Sequence, residues 1–235
     1  MPHVSKRRKA NEKKVERLEL YPLLEGIAAL KTSEKTRFDE TVDIAINLGI
    51  DPRKSDQAVR GAVSLPHGTG RSRKVIAFVK DPAKQEEAKA AGAAEVGADE
   101  LVKKVSDGWT DFDVAISSPD MMGKVGKLGK VLGPQGKMPT PKSGTVTPDV
   151  ATAVKEFAAG KVEFRADAGG TVHAPVGKRS FDDQQIADNV HAFLAAVNSL
   201  KPATARGAYL KKVFLATTMG PSVLVDVGSA APAAD

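Results

Sequence analysis

The hydrophobic pattern of this sequence changes twice, and the changes constrain what the chain can fold into. Between Phe38 and Ile50 apolar side chains alternate with polar or small ones, a period of two that is typical of a half-buried strand. From Lys74 to Ala159 short apolar runs alternate with helical segments, which indicates βαβ units around a mainly parallel, covered sheet. After Gly160 the strand pattern returns. We therefore predict a central α/β block flanked by two α+β segments.

Two connecting segments join the flanking segments to the central block. Residues 64–73 are rich in turn formers, and Gly160 follows the last helical segment of the block. The simplest arrangement is one domain built from both chain ends with a second domain inserted into it, because closely spaced termini tolerate insertions. We predict a discontinuous α+β domain of residues 1–67 and 161–235, and an inserted α/β domain of residues 68–160.

The flanking segments are predicted to contain helices as well as strands. A charged, helix-compatible arm runs from Ser5 to Glu19 and includes Arg17, and a second helix begins near Pro22 and ends at Leu30. Beyond Gly160 the sequence predicts a hairpin whose strands are residues 161–166 and 171–176 and whose turn is 167–170. A capping box at Ser180–Asp183 then begins a helix that runs to Leu200. Strands over 209–215 and 223–227 follow, and a disordered tail covers 228–235.

The central block contains an unusual glycine- and lysine-rich segment, residues 121–146. It follows predicted strands at 74–80, 95–96 and 113–117 and helices at 81–91 and 99–107, and it precedes a helix at 148–159. Each glycine costs a helix about 1 kcal/mol relative to alanine, so an ordinary core helix is not expected here. A close backbone approach to an anion is the first hypothesis, with charge supplied by Lys124, Lys127, Lys130, Lys137 and Lys142.

Composition and charge narrow the possible functions. The net charge of +6 favours a polyanionic partner, most often nucleic acid, and an apolar content of 41% allows a sizeable core. The absence of cysteine excludes disulfides and thiolate metal sites. No apolar run approaches the roughly 18 residues of a membrane span, and no apolar segment follows the basic N-terminus. We expect a soluble cytoplasmic protein with no membrane partner.

Sequence signatures of catalysis are missing. The glycines from position 123 to 136 have the wrong spacing for a P-loop, and no dinucleotide fingerprint follows a predicted strand. The four histidines lack metal-ligand spacing. We therefore predict no catalytic site, no cofactor and no metal. Two alternatives stay open: an α/β enzyme that binds a phosphorylated small molecule through the glycine-rich segment, and a general basic nucleic-acid or chaperone-like binding module.

Three features favour RNA binding over catalysis. The N-terminal arm offers a cationic stripe for phosphates, although a solvated helix explains it equally well. Residues 217–220 (Thr-Thr-Met-Gly) supply hydroxyl and backbone groups suited to ribose and phosphate, although a plain strand-to-strand corner has the same composition. Phe38, beside Arg37, is able to stack on a base or to enter the core.

Four motifs carry a resemblance to a known family. They are Arg37-Phe-Asp-Glu-Thr-Val-Asp43, Val131-Leu-Gly-Pro-Gln-Gly-Lys-Met-Pro-Thr-Pro-Lys142, His173-Ala-Pro-Val-Gly-Lys178 and Thr217-Thr-Met-Gly-Pro221. Together they closely resemble the uL-one family of bacterial large-subunit ribosomal proteins, in order from about Ser5 to Val227. The resemblance implies an α+β domain holding both termini and an inserted Rossmann-like domain without a nucleotide site.

The resemblance also implies partners and a location. The family binds a large-subunit rRNA hairpin region to form the mobile side stalk, near the exiting deacylated tRNA. Its members also repress translation by binding their own operon mRNA. The expected partners are therefore side-stalk rRNA, exit-site tRNA, operon mRNA and other ribosome components, and the expected location is the large ribosomal subunit in the cytoplasm.

In the family the α+β domain carries the main RNA contact surface. Matched by motif, the implied members here are Arg37, Phe38, Glu40, Thr41, Arg165, Asp167, Thr217, Thr218, Met219 and Gly220. Thr218 and Gly220 would bind ribose and phosphate, Phe38 would shape or stack the surface, and the two arginines would neutralise phosphate. Glu40 and Asp167 are acidic and would only accept hydrogen bonds. The five lysines of the glycine-rich segment imply a secondary basic surface.

The sequence departs from the family pattern at two places. Ala166 and Ala168 stand in the 165–169 turn where relatives usually have Asn and Lys, so two polar contacts are expected to be missing. In the glycine-rich segment, Gln135 and Lys137 stand where Arg and Leu are expected. That change moves a positive charge by two positions.

Overall fold

A computed structural model describes residues 5–16, 19–205, 207–226 and 228. The strands are β1 (Leu20–Tyr21), β2 (Thr41–Leu48), β3 (Arg60–Val63), β4 (Val75–Phe78), β5 (Glu95–Gly97), β6 (Val114–Ser117), β7 (Val162–Arg165), β8 (Thr171–Lys178), β9 (Leu210–Thr217) and β10 (Ser222–Val225). The α-helices are α1 (Lys6–Glu12), α2 (Leu23–Lys31), α3 (Pro82–Ala90), α4 (Asp99–Ser106), α5 (Met122–Val125), α6 (Gly129–Leu132), α7 (Val150–Ala158) and α8 (Asp183–Ser199). Both element types mix along the chain, which confirms the expected α/β class.

The chain divides into two compact units, which we call unit 1 (the described part of 1–70 and 162–235) and unit 2 (71–161). Unit 1 contains a five-stranded sheet in the order β1-β10-β9-β2-β8. The β1–β10 pair is parallel, and the other three pairs are antiparallel. β2 alternates as the sequence predicts, because its apolar residues at 42, 44, 46 and 48 are all buried.

Helices α2 and α8 supply most of the helical part of the unit 1 core. The apolar side chains of α8 at positions 186, 190, 193, 194 and 197 are buried, with Phe193 fully inside and edge-on to Phe164 of β7. The helix begins two residues later than predicted, at Asp183, and the side chain of Gln185 accepts a hydrogen bond from the Asp182 backbone N–H at 3.1 Å. Ser180 is not the cap, because its hydroxyl is held by Asp39 instead.

The predicted hairpin after Gly160 forms only at its tip. Ala166 and Val172 make an isolated antiparallel bridge beside the 167–170 turn. Below the turn the strands separate, since β7 pairs with β3 in a two-stranded sheet while β8 pairs with β2. The strand β3, with its short Arg60–Val63 sequence, was not among the predicted elements.

The N-terminal arm is less helical than predicted. Helix α1 covers only Lys6–Glu12 and is capped by the Ser5 hydroxyl, which accepts a hydrogen bond from the Arg8 N–H. Turn structure follows, and Val15 is buried in the core of unit 1. Arg17, and all of the predicted tail except Gly228, lie outside the described residues.

Unit 2 is a parallel three-stranded sheet in the order β5-β4-β6. All four residues of β4 are buried, and they alternate between two cores. Val75 and Ala77 pack with α3 and α7, whereas Ile76 and Phe78 pack with α4 and the glycine-rich segment. Burial on both faces explains why the strand is apolar throughout.

The first half of the glycine-rich segment, residues 121–132, is helical, contrary to the sequence-based expectation. Short 3₁₀ turns at Pro119–Met121 and Gly126–Leu128 alternate with α5 and α6 from residue 119 to 132. Met121, Val125, Leu128 and Leu132 are all buried in one core cluster. Their spacing of four, three and four residues is the helical period, so burial of this stripe offsets the glycine penalty. A Cβ at positions 123, 126 or 129 would meet only open space.

Candidate nucleic-acid interface

Eight of the ten implied RNA-contact residues lie at one end of the five-stranded sheet of unit 1. β2 begins at Thr41 and β9 ends at Thr217, and the two strands are antiparallel neighbours with Val42 opposite Thr217. Residues 37–41 and 217–220 therefore meet. We call these two segments the strand-end surface.

The hydroxyl of Thr218 extends the pairing of β2 with β9 beyond the regular ladder. The Thr218 N–H donates to the Thr41 carbonyl at 3.2 Å, and the Thr218 Oγ1 accepts from the Thr41 N–H at 3.1 Å. A side-chain oxygen here takes the role of a backbone carbonyl. The turn after β9 is thus tied to the start of β2.

Gly220 closes this turn, and its place requires glycine. Its N–H donates to the Thr217 carbonyl at 3.2 Å, and a Cβ at Gly220 would overlap the Thr217 hydroxyl. Thr217 itself is 4% exposed, and within the described part of the chain its Oγ1 has no hydrogen-bond partner. Thr217 therefore presents no hydroxyl at the surface, whereas Thr218 is exposed.

Two large apolar side chains protrude from the strand-end surface. Phe38 is 54% exposed and Met219 is 52% exposed. Met219 borders a groove of about 480 Å³ whose other wall is formed by α1, including Arg7 and Arg8. Phe38 borders a second groove of about 440 Å³ whose cations are Lys31 and Lys35; Arg179 also lines it, but only 9% of that side chain is exposed because its guanidinium is bonded inside the protein. Exposed apolar groups beside cations are suited to bases and phosphates together.

Helix α1 is held beside this surface by contacts with the loop after α2. The buried Asn11 side chain accepts from the Glu34 N–H at 3.2 Å, and the Lys14 Nζ donates to the Thr32 carbonyl at 3.0 Å. The Arg7 guanidinium donates to the Lys35 carbonyl at 3.2 Å. These contacts place the basic side of the arm along the groove that Met219 borders.

Glu40 differs from the other implied contact residues because it is buried. It is 1% exposed, and its Oε2 accepts from the Arg179 Nη1 at 2.6 Å. Its Oε1 accepts from the Met219 N–H at 3.2 Å. The carboxylate thus supports the turn from below, and the structure leaves it no surface for a direct contact with RNA.

The turn that contains Asp167 lies at the opposite end of the five-stranded sheet, and Arg165 ends β7 directly before it. The Gly170 carbonyl of this turn accepts from the N–H of Leu48, the last residue of β2. Thr41 and Asn47 are six residue steps apart along β2, which corresponds to about 20 Å in an extended strand. Arg165 is opposite Arg60 in the β3–β7 pair. The structure therefore splits the implied set into two groups.

Asp167 stabilises its own turn. Its Oδ1 accepts from the N–H groups of Thr171 and Gly169, both at 2.8 Å. The Thr171 N–H in particular, with help from Gly169, lowers the pKa of the Asp167 carboxyl below its ordinary value. This Asx-type turn needs no side-chain help from Ala166 or Ala168.

The five lysines of the secondary basic surface all lie in unit 2. Lys124 forms an ion pair with Asp99 at 2.6 Å, and this contact lowers the pKa of the Asp99 carboxyl. Lys137 donates to the Thr110 carbonyl at 2.9 Å and lies over the Phe112 ring. The other three, all exposed, are Lys127, Lys130 and Lys142.

Sequence reasoning missed the residues that hold the strand-end surface together. Lys178 donates to the Thr41 hydroxyl at 3.0 Å, and the Ser180 hydroxyl donates to Asp39 at 2.8 Å. Arg179 is the buried partner of Glu40. Lys178 is the last residue of the third family motif, to which the sequence analysis assigned no role. The position of that motif directly before Arg179 and Ser180 was the signal that could have identified all three residues.

Neither a metal site nor a membrane span is found in the described ranges. No group of three or more His, Cys, Asp or Glu side chains is placed to hold a metal ion there. Nor does any helix in that part of the chain combine the length and apolar character needed to cross a bilayer.

Comparison with known proteins identifies the family of this chain. Residues 30–221 match the family described as "Ribosomal protein L1p/L10e family". The chain is 53% identical over 222 residues to the "Large ribosomal subunit protein uL1" of Nocardioides sp. (strain ATCC BAA-499 / JS614), covering 94% of this chain and 92% of that protein. The matched range includes both segments of the strand-end surface, 37–41 and 217–220. This chain belongs to the L1p/L10e family of ribosomal proteins and is a structural constituent of the ribosome.

Proposed function

We propose that this protein binds large-subunit rRNA directly and that the strand-end surface is the main contact. The observation that carries the proposal is the joint exposure of Phe38 and Met219 beside cationic side chains and a turn closed by Gly220. Exposed apolar side chains rimmed by polar and charged groups are typical of interaction sites. The name of the Nocardioides relative supports the large subunit as the location, and the cytoplasm as the compartment.

Each part of the surface has a distinct role in the proposal. Phe38 and Met219 offer apolar contact to bases or riboses, while Arg37 attracts phosphate; in the described structure Arg37 has no ion-pair partner. Thr218 is exposed and Gly220 is half-buried, so the turn brings its backbone to the surface beside the exposed Met219 side chain. RNA recognition by shape and sugar contacts needs such close approach.

The wider roles in the proposal follow from family membership. Bound to the side-stalk rRNA, the protein forms part of the mobile stalk and assists release of deacylated tRNA from the exit site. A single surface that recognises one RNA fold also explains repression, because operon mRNA with a similar fold would compete for it. The predicted discontinuous domain of 1–67 and 161–235 would carry the surface, and the inserted domain of 68–160 would face other ribosome components.

A salt series with two RNAs tests the proposal. The full chain is titrated with the side-stalk rRNA hairpin and with an unrelated hairpin of equal length and charge. We expect the stalk hairpin to bind at least 100-fold more tightly at about 0.15 M salt, because non-specific binding is mostly electrostatic and fades with salt. Equal affinity at every salt concentration would refute specific recognition and favour the general basic binding module.

A further inference from the structure

Arg179 lies where four segments of unit 1 meet. Only 9% of its side chain is exposed. Its Nη2 donates to the carbonyls of Lys31 and Ser33 at 2.8 and 2.6 Å, and its Nη1 donates to the Glu40 carboxylate at 2.6 Å. Its backbone N–H also donates to the Glu40 carbonyl at 2.8 Å. One guanidinium thus joins the C-terminus of α2, the loop after it, the start of β2 and the end of β8.

Glu40 carries this connection to the turn after β9. One carboxylate oxygen accepts from Arg179, and the other accepts from the Met219 N–H at 3.2 Å. Arg179 and Met219 are therefore linked through Glu40, although no direct contact between them is needed. Both oxygens of Glu40 point into the protein.

We propose that Arg179 and Glu40 are positioning residues for RNA recognition. They hold the Met219 turn in place against β2 and α2, and neither touches the RNA. The inference rests on the proposed function of the strand-end surface. It replaces the direct hydrogen bond from RNA to Glu40 that the family resemblance implies.

The chemistry of a buried ion pair supports a positioning role. Desolvation offsets much of the attraction within such a pair, so its contribution to overall stability is small. A planar guanidinium with several fixed donors does specify geometry, because it satisfies its acceptors in only one arrangement. Met219 is 52% exposed, and the bond from its N–H to Glu40 fixes the middle of a turn whose two ends are held by the Thr218 and Gly220 hydrogen bonds.

A double-mutant cycle tests the proposal on RNA binding. The variants are Arg179→Gln, Glu40→Gln and both together, each titrated with the stalk hairpin and the unrelated hairpin. We expect each single change to weaken stalk binding at least tenfold, and the double variant to be no weaker than either single one. Affinity for the unrelated hairpin and the salt slope should stay unchanged, because neither residue neutralises a phosphate.

Arg37→Gln is the contrasting control. As an exposed cation it should weaken binding to both hairpins and reduce the salt slope by about one. Strictly additive losses for Arg179 and Glu40 would overturn the proposal, since they would mean that the two residues act independently. So would a reduced salt slope for Arg179→Gln.

Amide exchange in the free protein provides a test that needs no RNA. Arg179→Gln should accelerate exchange of the Met219 N–H, although the substituted side chain does not bond to it. Unchanged exchange at Met219 would overturn the proposal. If wild-type protein fails to prefer the stalk hairpin, the proposed function fails while this measurement still decides the positioning role. Should Arg179→Gln not fold, Arg179→Lys, which keeps the charge but loses the fork, replaces it in both experiments.

Discussion

Single side chains define the turn at the strand-end surface. The Thr218 hydroxyl accepts from the Thr41 N–H at 3.1 Å and so replaces a missing ladder partner. At Gly220 any side chain would overlap the Thr217 hydroxyl. Because each of these effects depends on a single atom, substitutions at Thr218 or Gly220 should change RNA binding without changing the strand pairing of the sheet.

We expect Thr218→Val to weaken stalk-hairpin binding by about 1–3 kcal/mol, since valine keeps the shape but removes the hydroxyl. The Thr41 N–H would lose its partner and the turn would lose its anchor. Isothermal titration with the stalk hairpin measures the change. Thr204→Val is the matched control, because Thr204 is an exposed threonine away from this surface. Equal affinities for the Thr218 variant and wild type would remove Thr218 from the site.

At the scale of elements, the glycine-rich segment shows that burial overrides local propensity. Gly123, Gly126 and Gly129 occupy the open side of the helical run, opposite the buried stripe of Val125 and Leu128. Their backbone angles at 126 and 129 are right-handed helical, so glycine is not needed for conformation there.

Gly126→Ala should therefore stabilise unit 2. We expect the free energy of unfolding to rise by about 0.5–1 kcal/mol, because alanine loses less backbone entropy and its Cβ meets open space. Urea denaturation measures the difference. Gly133→Ala is the matched control and should destabilise, because its Cβ would overlap the Gly129 carbonyl. A loss of stability in both variants would contradict this account of the segment.

The Asp167 turn should make unit 1 sensitive to acid. The pKa of its carboxyl is lowered, chiefly by the Thr171 N–H, so the folded state favours the ionised form. The resulting stabilisation is present above the ordinary carboxyl pKa of about 3.9 and is lost as the pH falls through the lower folded-state value. Urea denaturation of Asp167→Asn and wild type should show a constant difference near about pH 6, and the difference should shrink as the pH falls below about 3.9. A difference that does not shrink there would argue against this cause.

At the scale of the whole molecule, cationic groups are distributed over both units. The large apolar side chains found exposed in the described ranges all lie in unit 1, and two of the five, Phe38 and Met219, are at the strand-end surface. In unit 2, Lys124 is already paired with Asp99 and Lys137 lies over Phe112. Long-range attraction depends on total charge, whereas specific recognition depends on local shape.

Replacing Lys124, Lys127 and Lys130 together by alanine should thus affect the isolated stalk hairpin only mildly. We expect a loss of about 1 kcal/mol or less at 0.15 M salt, roughly the effect of weakened steering. The salt series above, applied to this variant, measures it. Abolished binding would mean that the main contact lies in unit 2 and that its assignment to unit 1 is wrong.

Hydrophobic periodicity in the sequence identified the elements whose buried residues follow a regular spacing. β2 was predicted from alternation and β4 from its continuous apolar run, and both are buried as those patterns require. The α8 stripe followed the helical period for the same reason. β3 was missed because Arg60–Val63 is short and contains glycine. Its partner β7 was assigned to β8, since neighbours in sequence usually pair.

The mixed α/β class and the family could be read from the sequence, because periodic burial and compact motifs are local properties, and the segments around Phe38 and Thr218 were predicted from it as the RNA contact. How those residues combine depends on the tertiary structure. It separated Arg165 and Asp167 from the strand-end surface, buried Glu40 against Arg179, and folded the glycine-rich segment onto a core. These outcomes depend on strand register and on packing between distant segments, and no local pattern records which groups come to share an interior.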